Sequence, residues 1–256
     1  MTKMFAEERR KEILSQLQQK NRLTVKELSQ TLNVSGATLR TDLNEMEKDG
    51  LLTRTHGGAV LNDRTLSKNT FSERATKNID VKKAITNKAI QFVQNKSSII
   101  LDASTTALEL ARCLKDTDMR ITVITNGLTT ALELKENPNI NVILIGGIAR
   151  MGSMALEGLL GKTILDQINI DIMFTSASGF TIEKGLTDFN VYEVELKKIM
   201  VEKADKVIAL VDHTKIGDSS IASFASIDKL DALITDEKIP EEMKKTLEDS
   251  HIKVID

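Results

Sequence analysis

The sequence has no tryptophan, few other aromatic residues and a single cysteine. Aromatic residues make up only 3% of the 256 residues, whereas apolar residues make up 41%. A sizeable core must therefore be built mainly from Ile, Leu, Val and Ala. One cysteine excludes an internal disulfide framework and indicates a reducing compartment. Because Cys113 falls in an apolar helical stretch, we interpret it as a buried small hydrophobe.

Long apolar runs and a strong charge of one sign are also missing. No run of about 18 apolar residues exists, and the N-terminus is charged and lacks an apolar signal core, so we expect a cytoplasmic protein without a membrane partner. The formal net charge is only −2, so composition alone does not indicate nucleic acid. Residues 1–60 carry a slight excess of Lys and Arg, which permits DNA contact there without requiring it. We predict no cofactor, no metal ion and no catalytic residue.

The chain divides by pattern into three regions. Residues 1–60 predict short helices followed by a glycine-containing hairpin, and residues 61–79 are a mostly polar stretch that we interpret as a linker. Residues 80–256 alternate apolar runs with helical patterns, which predicts an α/β domain with a mostly parallel sheet. The predicted strands are 98–101, 121–125, 141–145, 170–175, 206–211, 232–235 and 253–255. The predicted helices of this region are 81–95, 106–114, 128–136, 191–203 and 241–248.

Start and stop signals in residues 1–60 indicate a helix-turn-helix. After a helix over 6–19, Thr24 and Glu27 have the spacing of a capping box, and Leu23 and Leu28 have that of a hydrophobic staple. A tight turn follows at 33–34. The third helix would be capped by Ser35 and would stop at Gly50. These are the marks of two helices joined by a tight turn.

The third helix separates into an apolar side and a polar side. At about 100° per residue, Leu39, Leu43 and Met46 fall together and should face the core. The opposite side offers hydroxyl, amide and cationic groups, which can contact base edges and phosphates in a major groove. Residues 51–60 predict a hairpin around Gly57-Gly58, a wing that would bring Arg54 and His56 to the backbone or the minor groove. The predicted DNA contacts are Ser35, Ala37, Thr38, Arg40, Thr41, Asn44, Lys48, Arg54, His56 and Gly57.

Polar and glycine-rich clusters follow the predicted strands of the third region. Ligands of open α/β sheets bind beyond the carboxyl ends of the strands, so these clusters predict a binding site. Hydroxyls, backbone donors, Arg150 and Lys215 suit a phosphate, whereas the carboxylates and Asn126 suit sugar hydroxyls. We therefore predict a phosphorylated sugar as effector. The predicted contacts are Asp102, Ser104, Thr105, Thr106, Thr125, Asn126, Gly147, Arg150, Ser178, Gly179, Asp188, Glu193, Asp212 and Lys215.

Both regions resemble the DeoR family of bacterial regulators. Residues 34–43 read Val-Ser-Gly-Ala-Thr-Leu-Arg-Thr-Asp-Leu, where the family pattern is Val-Ser, two variable residues, then Thr-Ile-Arg-Arg-Asp-Leu. Residues 56–59, His-Gly-Gly-Ala, match the family's wing. The second Arg of the pair is Thr41 here, which removes one cation from the groove side and makes Arg40 more important. Residues 102–106, Asp-Ala-Ser-Thr-Thr, match the sensor motif Asp-x-Gly-Thr-Thr, with Ser104 in place of Gly.

The resemblance implies a fold and a function. The family's sensor domain is similar in fold to ribose-5-phosphate isomerase and glucosamine-6-phosphate deaminase. It implies a repressor of a carbohydrate-metabolism operon that binds double-stranded operator DNA and responds to a sugar phosphate. A homodimer or homotetramer is expected, because paired half-sites need paired readers.

Two other functions compete with this interpretation. A domain of the same fold would be an isomerase or deaminase if Glu193, Glu195, Asp188 or Lys215 served as acid or base. The predicted helix-turn-helix argues against an isomerase or deaminase, and we predict that the chain is not an enzyme. Alternatively, the N-terminal region would bind another protein. DNA affinity that falls steeply with salt distinguishes the two, because phosphate contacts release counterions.

Overall fold

A computed structural model describes residues 6–20, 22–48, 51–55, 57–60, 71–150 and 153–256. The chain divides into two units, Met1–Glu73 and Arg74–Asp256. The first unit contains the following elements: α1 (Ala6–Lys20), β1 (Arg22–Thr24), α2 (Val25–Leu32), α3 (Gly36–Lys48), β2 (Thr53–Thr55) and β3 (Gly58–Val60). The strands form an antiparallel sheet in the order β1-β3-β2. The unit is therefore a helix-turn-helix followed by a wing, as predicted.

The predicted caps of the first unit are present. The Thr24 hydroxyl accepts a hydrogen bond from the Glu27 amide (3.1 Å), and the Glu27 carboxylate accepts one from the Thr24 amide (2.7 Å). Asn33 ends α2 in the left-handed region, with φ of 52°. Ser35 then accepts a hydrogen bond from the Thr38 amide at 3.2 Å. The predicted stop, Gly50, lies outside the described residues.

The wing differs from the prediction in its turn and in its partner. Gly58 belongs to β3 rather than to the turn, and Gly57 is a turn residue. A side chain at Gly58 would collide with the carbonyl oxygen of Leu23, because β3 packs directly against β1. Strand β1 was not predicted, because its three residues are too few to show a strand periodicity.

Beyond residue 70 the elements alternate between helix and strand. In chain order they are α4 (Phe71–Thr76), α5 (Ile79–Ala89), β4 (Ser98–Leu101), α6 (Thr105–Lys115), β5 (Ile121–Thr125), α7 (Leu128–Leu134), β6 (Ile140–Leu144), β7 (Ile148–Ala149), β8 (Leu156–Glu157), α8 (Lys162–Leu165), β9 (Ile170–Thr175), β10 (Gly179–Thr181), β11 (Gly185–Asp188), α9 (Val191–Lys203), β12 (Ala204–Leu210), β13 (Ala222–Ala225), β14 (Ala232–Ile234), α10 (Glu241–Asp249) and β15 (Lys253–Ile255).

The predicted linker is corrected in its second half. Residues 61–70 lie outside the described residues, but α4 and the start of α5 occupy most of 71–79. The predicted helix 81–95 also begins earlier, at Ile79, and gives way to a 3-10 turn at Ile90–Phe92. The start of α5 was hidden because Lys82 and Thr86, both buried, interrupt its apolar face.

A seven-stranded parallel sheet forms the centre of the second unit. Its order is β15-β14-β12-β9-β4-β5-β6, and each strand lies within two residues of a predicted one. Short antiparallel pieces were not predicted, namely the pair β7-β8 and the sheet β10-β11-β13. Their two to four residues include Gly, Thr and Asp and carry no strand-like pattern. The fold class predicted from the sequence is confirmed.

Alternation along the strands divides the core between the two faces of the sheet. Ile99 and Leu101 pack with residues of α5, α6 and α7, whereas Ile100 packs with residues of α9. The central strand β9 aligns Phe174 with Leu101 of β4 and Thr175 with Ala209 of β12. The loops that follow these three strands therefore start at the same edge. In the part of the chain that the structure describes, none of the helices could span a lipid bilayer.

Candidate functional site

The outward face of α3 carries the polar side chains predicted to meet DNA. Leu39, Leu43 and Met46 are fully buried beneath it. Thr38 is half-buried, and its hydroxyl lies 2.8 Å from that of Ser35. The exposed predicted residues are Ser35, Ala37, Arg40, Thr41, Asn44, Lys48 and, in the wing, Gly57. The helix thus separates a core side from a polar side, as its sequence periodicity indicated.

The base of the wing is tied to α3. The Arg54 amide donates to the Glu47 carboxylate at 2.7 Å, and its guanidinium donates to the Asn44 side-chain carbonyl. Asn44 therefore keeps its amide donors for a partner, whereas a bidentate contact with adenine also needs its carbonyl. The predicted contact of Arg54 with the DNA backbone or minor groove stays a prediction, and without DNA its guanidinium lies on Asn44. His56, the other predicted wing contact, lies outside the described residues.

A buried ion pair holds α3 against α1. Asp42 is 2% exposed, and its carboxylate lies 2.5 Å from Nε of Arg9 and 3.4 Å from Nε of Arg10. The sequence analysis missed this pair. The signal was the position of Asp42, three residues after Leu39 and four before Met46, which puts an acid on the buried side of the helix.

In the second unit, Asp102 is the centre of a buried polar network beyond β4. Its carboxylate accepts hydrogen bonds from the Thr175 hydroxyl (2.6 Å) and from the amides of Ser176 (3.1 Å) and Ser104 (3.0 Å). Because Asp102 is completely buried and these donors come from its own and the neighbouring strand end, it joins the loops after β4 and β9.

Lys197 of α9 supplies the cation of this network, and the sequence analysis missed it. Its ammonium lies 3.1 Å from the Asp102 carboxylate and 2.9 Å from that of Asp188, and it donates to the Ser176 carbonyl at 2.9 Å. Burial opposes the charge, but the two aspartates raise the pKa of Lys197 above its usual range. Lys197 follows Glu193 by four residues in a helix, which is the spacing of an ion pair on a helix surface. The sequence therefore did not distinguish Lys197 from a solvated lysine.

The predicted Ser178 bonds to Asp188, which is itself a partner of this ammonium. Ser178 donates to the Asp188 carboxylate at 2.7 Å, and Asp188 also accepts from the Phe189 amide at 2.9 Å. Burial favours the neutral acid, yet Lys197 and the Ser178 hydrogen bond hold the pKa of Asp188 below its usual value. A paired, ionised carboxylate therefore lies at the start of the loop that leads into α9.

Glu193 lies at the first turn of α9, next to a second polar group. Asn190 caps the helix and donates to the carboxylates of Glu193 (3.1 Å) and Glu157 (2.8 Å). Burial, and then the charge of Asp188, raise the pKa of Glu193 to about 7. Arg150 lies 2.9 Å from Glu157 and stacks on the Tyr192 ring at 4.1 Å. The predicted Arg150 and Glu193 are thereby brought together around Glu157, which was not predicted.

The loop after β5 contains a buried acceptor that has no partner. Thr125 accepts from the Gly127 amide at 3.0 Å, and the Asn126 amide donates to the Leu156 carbonyl at 3.1 Å. The Asn126 side-chain carbonyl is buried and forms no hydrogen bond with any described residue. An acceptor in this state is costly unless a ligand donor reaches it.

The loop after β4 ends at the N-terminus of α6. Ser104 adopts an extended conformation (φ −76°) and caps the helix by accepting from the Ala107 amide at 3.1 Å. Serine at this position therefore fits without the backbone freedom of glycine. Thr105 and Thr106 follow in the first turn, and both are buried. Free amides at a helix N-terminus suit an anion.

Two predicted glycines have a packing reason for their small size. A Cβ at Gly147 would lie 2.5 Å from the carbonyl oxygen of Glu157, and one at Gly179 would lie 2.5 Å from that of Asp218. The close approach at both positions is between segments of the chain itself. The packing is sufficient to explain these glycines.

The loop after β12 carries the last predicted pair. Asp212 is buried and caps the 3-10 turn by accepting from the Thr214 amide at 3.0 Å. Lys215 is half-exposed, and in the described part of the chain no carboxylate forms an ion pair with it. Nearby, His213, Asp236 and Glu237 place potential metal ligands within 4.8 Å of one another, but the His213 imidazole already contacts Asp236 at 2.6 Å.

The two units together define a class of protein. A winged helix-turn-helix with an exposed polar recognition helix, followed by an α/β unit with a polar site at the carboxyl edge of its sheet, is a DNA-binding transcriptional regulator with a sensor domain. A family model for the DeoR-like helix-turn-helix domain matches residues 9–65, and one for the DeoR C-terminal sensor domain matches residues 77–237. The chain belongs to the DeoR family.

Similar proteins agree with this assignment. The chain is 47% identical to the HTH-type transcriptional regulator GolR of Listeria innocua, over 98% of each chain. It is 30% identical to the putative aga operon transcriptional repressor of Escherichia coli O157:H7, over 97% of this chain and 93% of that one. Ribose 5-phosphate isomerase A from Neisseria gonorrhoeae is similar in fold, with 14% identity, a TM-score of 0.43 and 56% of each chain covered. The chain is a regulator rather than an enzyme.

Proposed function

We propose that the chain represses a carbohydrate-metabolism operon and that a phosphorylated sugar, bound at the carboxyl edge of the parallel sheet, changes its affinity for operator DNA. It acts in the cytoplasm as a homodimer or homotetramer. The observation that carries the effector proposal is that polar groups at this edge keep bonding capacity. They are the buried side-chain carbonyl of Asn126, which has no hydrogen-bond partner among the described residues, and the ammonium of Lys215. The relative named as an aga operon repressor supports the carbohydrate assignment.

The proposed operator contacts are the predicted side chains of α3 and the wing. Arg40 and Lys48 are exposed cations that can contact guanine or phosphate, and the Asn44 amide can donate to a base acceptor. Thr41 contributes less, because its hydroxyl donates back to the Ala37 carbonyl at 3.3 Å. One such helix reads one half-site, so specific binding requires a second copy.

The proposed effector contacts are the predicted residues that keep bonding capacity. The α6 N-terminus with Ser104, together with Lys215, would hold the phosphate, because both favour an anion. The partnerless carbonyl of Asn126 would accept from a sugar hydroxyl, and Glu193 would do the same once ionised. The saturated residues would act as their scaffold. These are Asp102, Thr125, Ser178, Asp188 and Asp212.

The test combines DNA binding with ligand screening. Upstream DNA is titrated with the full chain in a gel shift at several salt concentrations, and affinity should fall steeply as salt rises. A thermal shift panel of sugar phosphates, with inorganic phosphate and the unphosphorylated sugars as controls, then identifies the effector. Addition of that effector should change the gel shift, because control requires unequal binding to the two states.

Lys215→Ala tests the phosphate contact. It should abolish the ligand-induced thermal shift and leave DNA binding without effector intact, whereas Lys229→Ala, which removes an exposed lysine from the 3-10 turn before β14, should change neither. Stabilisation by the unphosphorylated sugars alone would contradict the phosphate proposal. Salt-independent binding to DNA would contradict the operator proposal.

A further inference from the structure

Large exposed apolar side chains are concentrated in one part of the sensor unit. Among the described residues, the large apolar side chains with the greatest exposed fractions all fall within 132–164. Leu160 is 75% exposed, Ile148 51% and Leu159 49%. We call six of them the edge patch. Its members are Leu144, Ile148, Met154, Leu159, Leu160 and Ile164.

The edge patch begins on β6 and continues on the elements that follow it along the chain. This strand pairs with β5 on one side and is the last strand of the parallel sheet. The turn at 159–161 packs on the carboxyl end of β6, where a Cβ at Gly161 would overlap Ile145. Ile148 lies in the β7-β8 hairpin, and the Met154 carbonyl accepts from the Leu128 amide at 2.8 Å, which fixes that hairpin to α7. The six side chains therefore lie on adjoining elements.

The amount of apolar surface matches one side of a stable homodimer. The exposed fractions correspond to about 500 Å² of apolar surface, near the top of the range of about 300–600 Å² for the largest patch on a monomer. A standard interface buries about 800 Å² per partner, and homodimer interfaces are about 65% apolar, which is also about 500 Å² of apolar surface. An open sheet edge with exposed apolar neighbours is also a hazard for aggregation unless it is covered.

We propose that the edge patch is the surface through which two copies of this chain associate. The choice of a second copy rests on the proposed function, because paired half-sites require paired readers. It also rests on composition, since interfaces between different, separately stable proteins are less apolar than those of homodimers. A twofold axis brings the patch of one copy against the same patch of its partner.

The test measures the mass of the full chain by sedimentation velocity without DNA or effector. The wild type should be a dimer or tetramer at micromolar concentration. Leu160→Glu and Ile148→Glu, each placing a charge at one of the two most exposed members of the patch, should halve the mass and raise the dissociation constant at least about 30-fold. Ala84→Glu, an exposed alanine on α5, is the matched control and should keep the wild-type mass.

A monomeric wild type, or glutamate variants with unchanged mass, would overturn the assignment of this surface. If the glutamate variants fail to unfold cooperatively, Leu160→Ser replaces them, because an exposed side chain contributes little to the stability of the monomer. The failure of the proposed function gives a different result. An oligomer that does not bind upstream DNA would contradict the proposed function but not the assignment of the edge patch. A monomer that binds upstream DNA would contradict the assignment of the edge patch but not the proposed function.

Discussion

The DNA-binding unit, Met1–Glu73, is called the reader, and the effector-binding unit, Arg74–Asp256, is called the sensor. The two units place their polar groups in opposite ways. The reader exposes them on one helix face, where Arg40 and Asn44 lie opposite the buried Leu39, Leu43 and Met46. The sensor buries them, and Asp102, Asp188 and Lys197 have almost no exposed surface. Recognition and stability are therefore separable in the reader but joined in the sensor, since a buried charge must keep its partner to be tolerated.

The reader does contain one element built like the sensor. The ion pair between Arg9 and Asp42 is buried, but it lies on the side of α3 away from the proposed DNA contacts. The hydrogen bond that Arg9 donates to Asp42 raises the pKa of Arg9, as expected for a pair that is held in place. The contrast between exposed and buried polar groups therefore holds for the functional surfaces and not for the whole units.

The largest expected effect is that of Lys197→Met. This variant leaves the carboxylates of Asp102 and Asp188 buried without their cation, which should lower the free energy of unfolding of the sensor unit by about 3–5 kcal/mol. Urea titration of the wild type and the variant at pH 7.5 measures the loss. A thermal shift with the effector should disappear in parallel.

Lys203→Met on the same helix is the control. Lys203 lies 2.7 Å from Asp166, but both side chains are more than one-third exposed, so its loss should cost about 0–1 kcal/mol. If the two variants lose equal stability, burial is not what distinguishes the sensor, and the comparison fails.

Arg40→Ala should show the opposite behaviour. The guanidinium is exposed on the outward face of α3, so its removal should weaken operator binding by about 1–3 kcal/mol and leave the urea midpoint unchanged. Fluorescence anisotropy with labelled operator measures the binding. Lys11→Ala on α1 serves as a control for the loss of one positive charge. Equal binding by Arg40→Ala and wild type would remove Arg40 from the DNA contact surface.

The pH dependence of sensor stability should reveal Glu193. Its pKa in the folded chain is about 7, above the ordinary glutamate value of 4.5, so the folded state holds a proton that the unfolded state has lost. Stability from this group is therefore full below about pH 4.5 and falls as the pH rises to about 7. Glu193→Gln should flatten that decline in urea titrations between pH 5 and 8.

The exposed neighbour Glu195 gives the control. Glu195→Gln should retain the wild-type decline between pH 5 and 8, because this side chain faces solvent on the same helix. A wild type whose stability is constant over this interval would show that Glu193 ionises like an exposed acid. The Glu193 carboxylate at the first turn of α9 would then be solvated, like the exposed polar groups of the reader.

The sequence was most informative where one pattern governed one element. Buried strands rich in Ile and Val predicted the parallel sheet, and the Thr24–Glu27 capping box predicted the start of α2. The side of α3 that faces the core was also correct, because the helical period separates Leu39 from Arg40 and Thr41 without any knowledge of the partner.

The sequence was least informative where groups distant in the chain meet. Lys197 lies 95 residues from Asp102, and nothing local distinguishes it from a solvated lysine of α9. The contact of Arg54 with Asn44 depends on the approach of the wing to α3. Asn190 and Glu157 likewise meet only after the β7-β8 hairpin has formed, so local periodicity could not reveal them.

Thr41→Arg makes the smallest and most specific change to the reader. It restores the second cation that the DeoR pattern places after Arg40, on a position that is exposed and distant from the core. If the new guanidinium meets a phosphate, the salt dependence of operator binding should steepen by about one unit of slope. The affinity gain should be below about 1.4 kcal/mol, or tenfold, because an exposed ion pair is screened.

Thr41→Gln, similar in length but uncharged, should leave the slope unchanged. An unchanged slope in Thr41→Arg as well would mean that this side of α3 does not meet the DNA backbone. The reader's contacts would then centre on Arg40 and the wing.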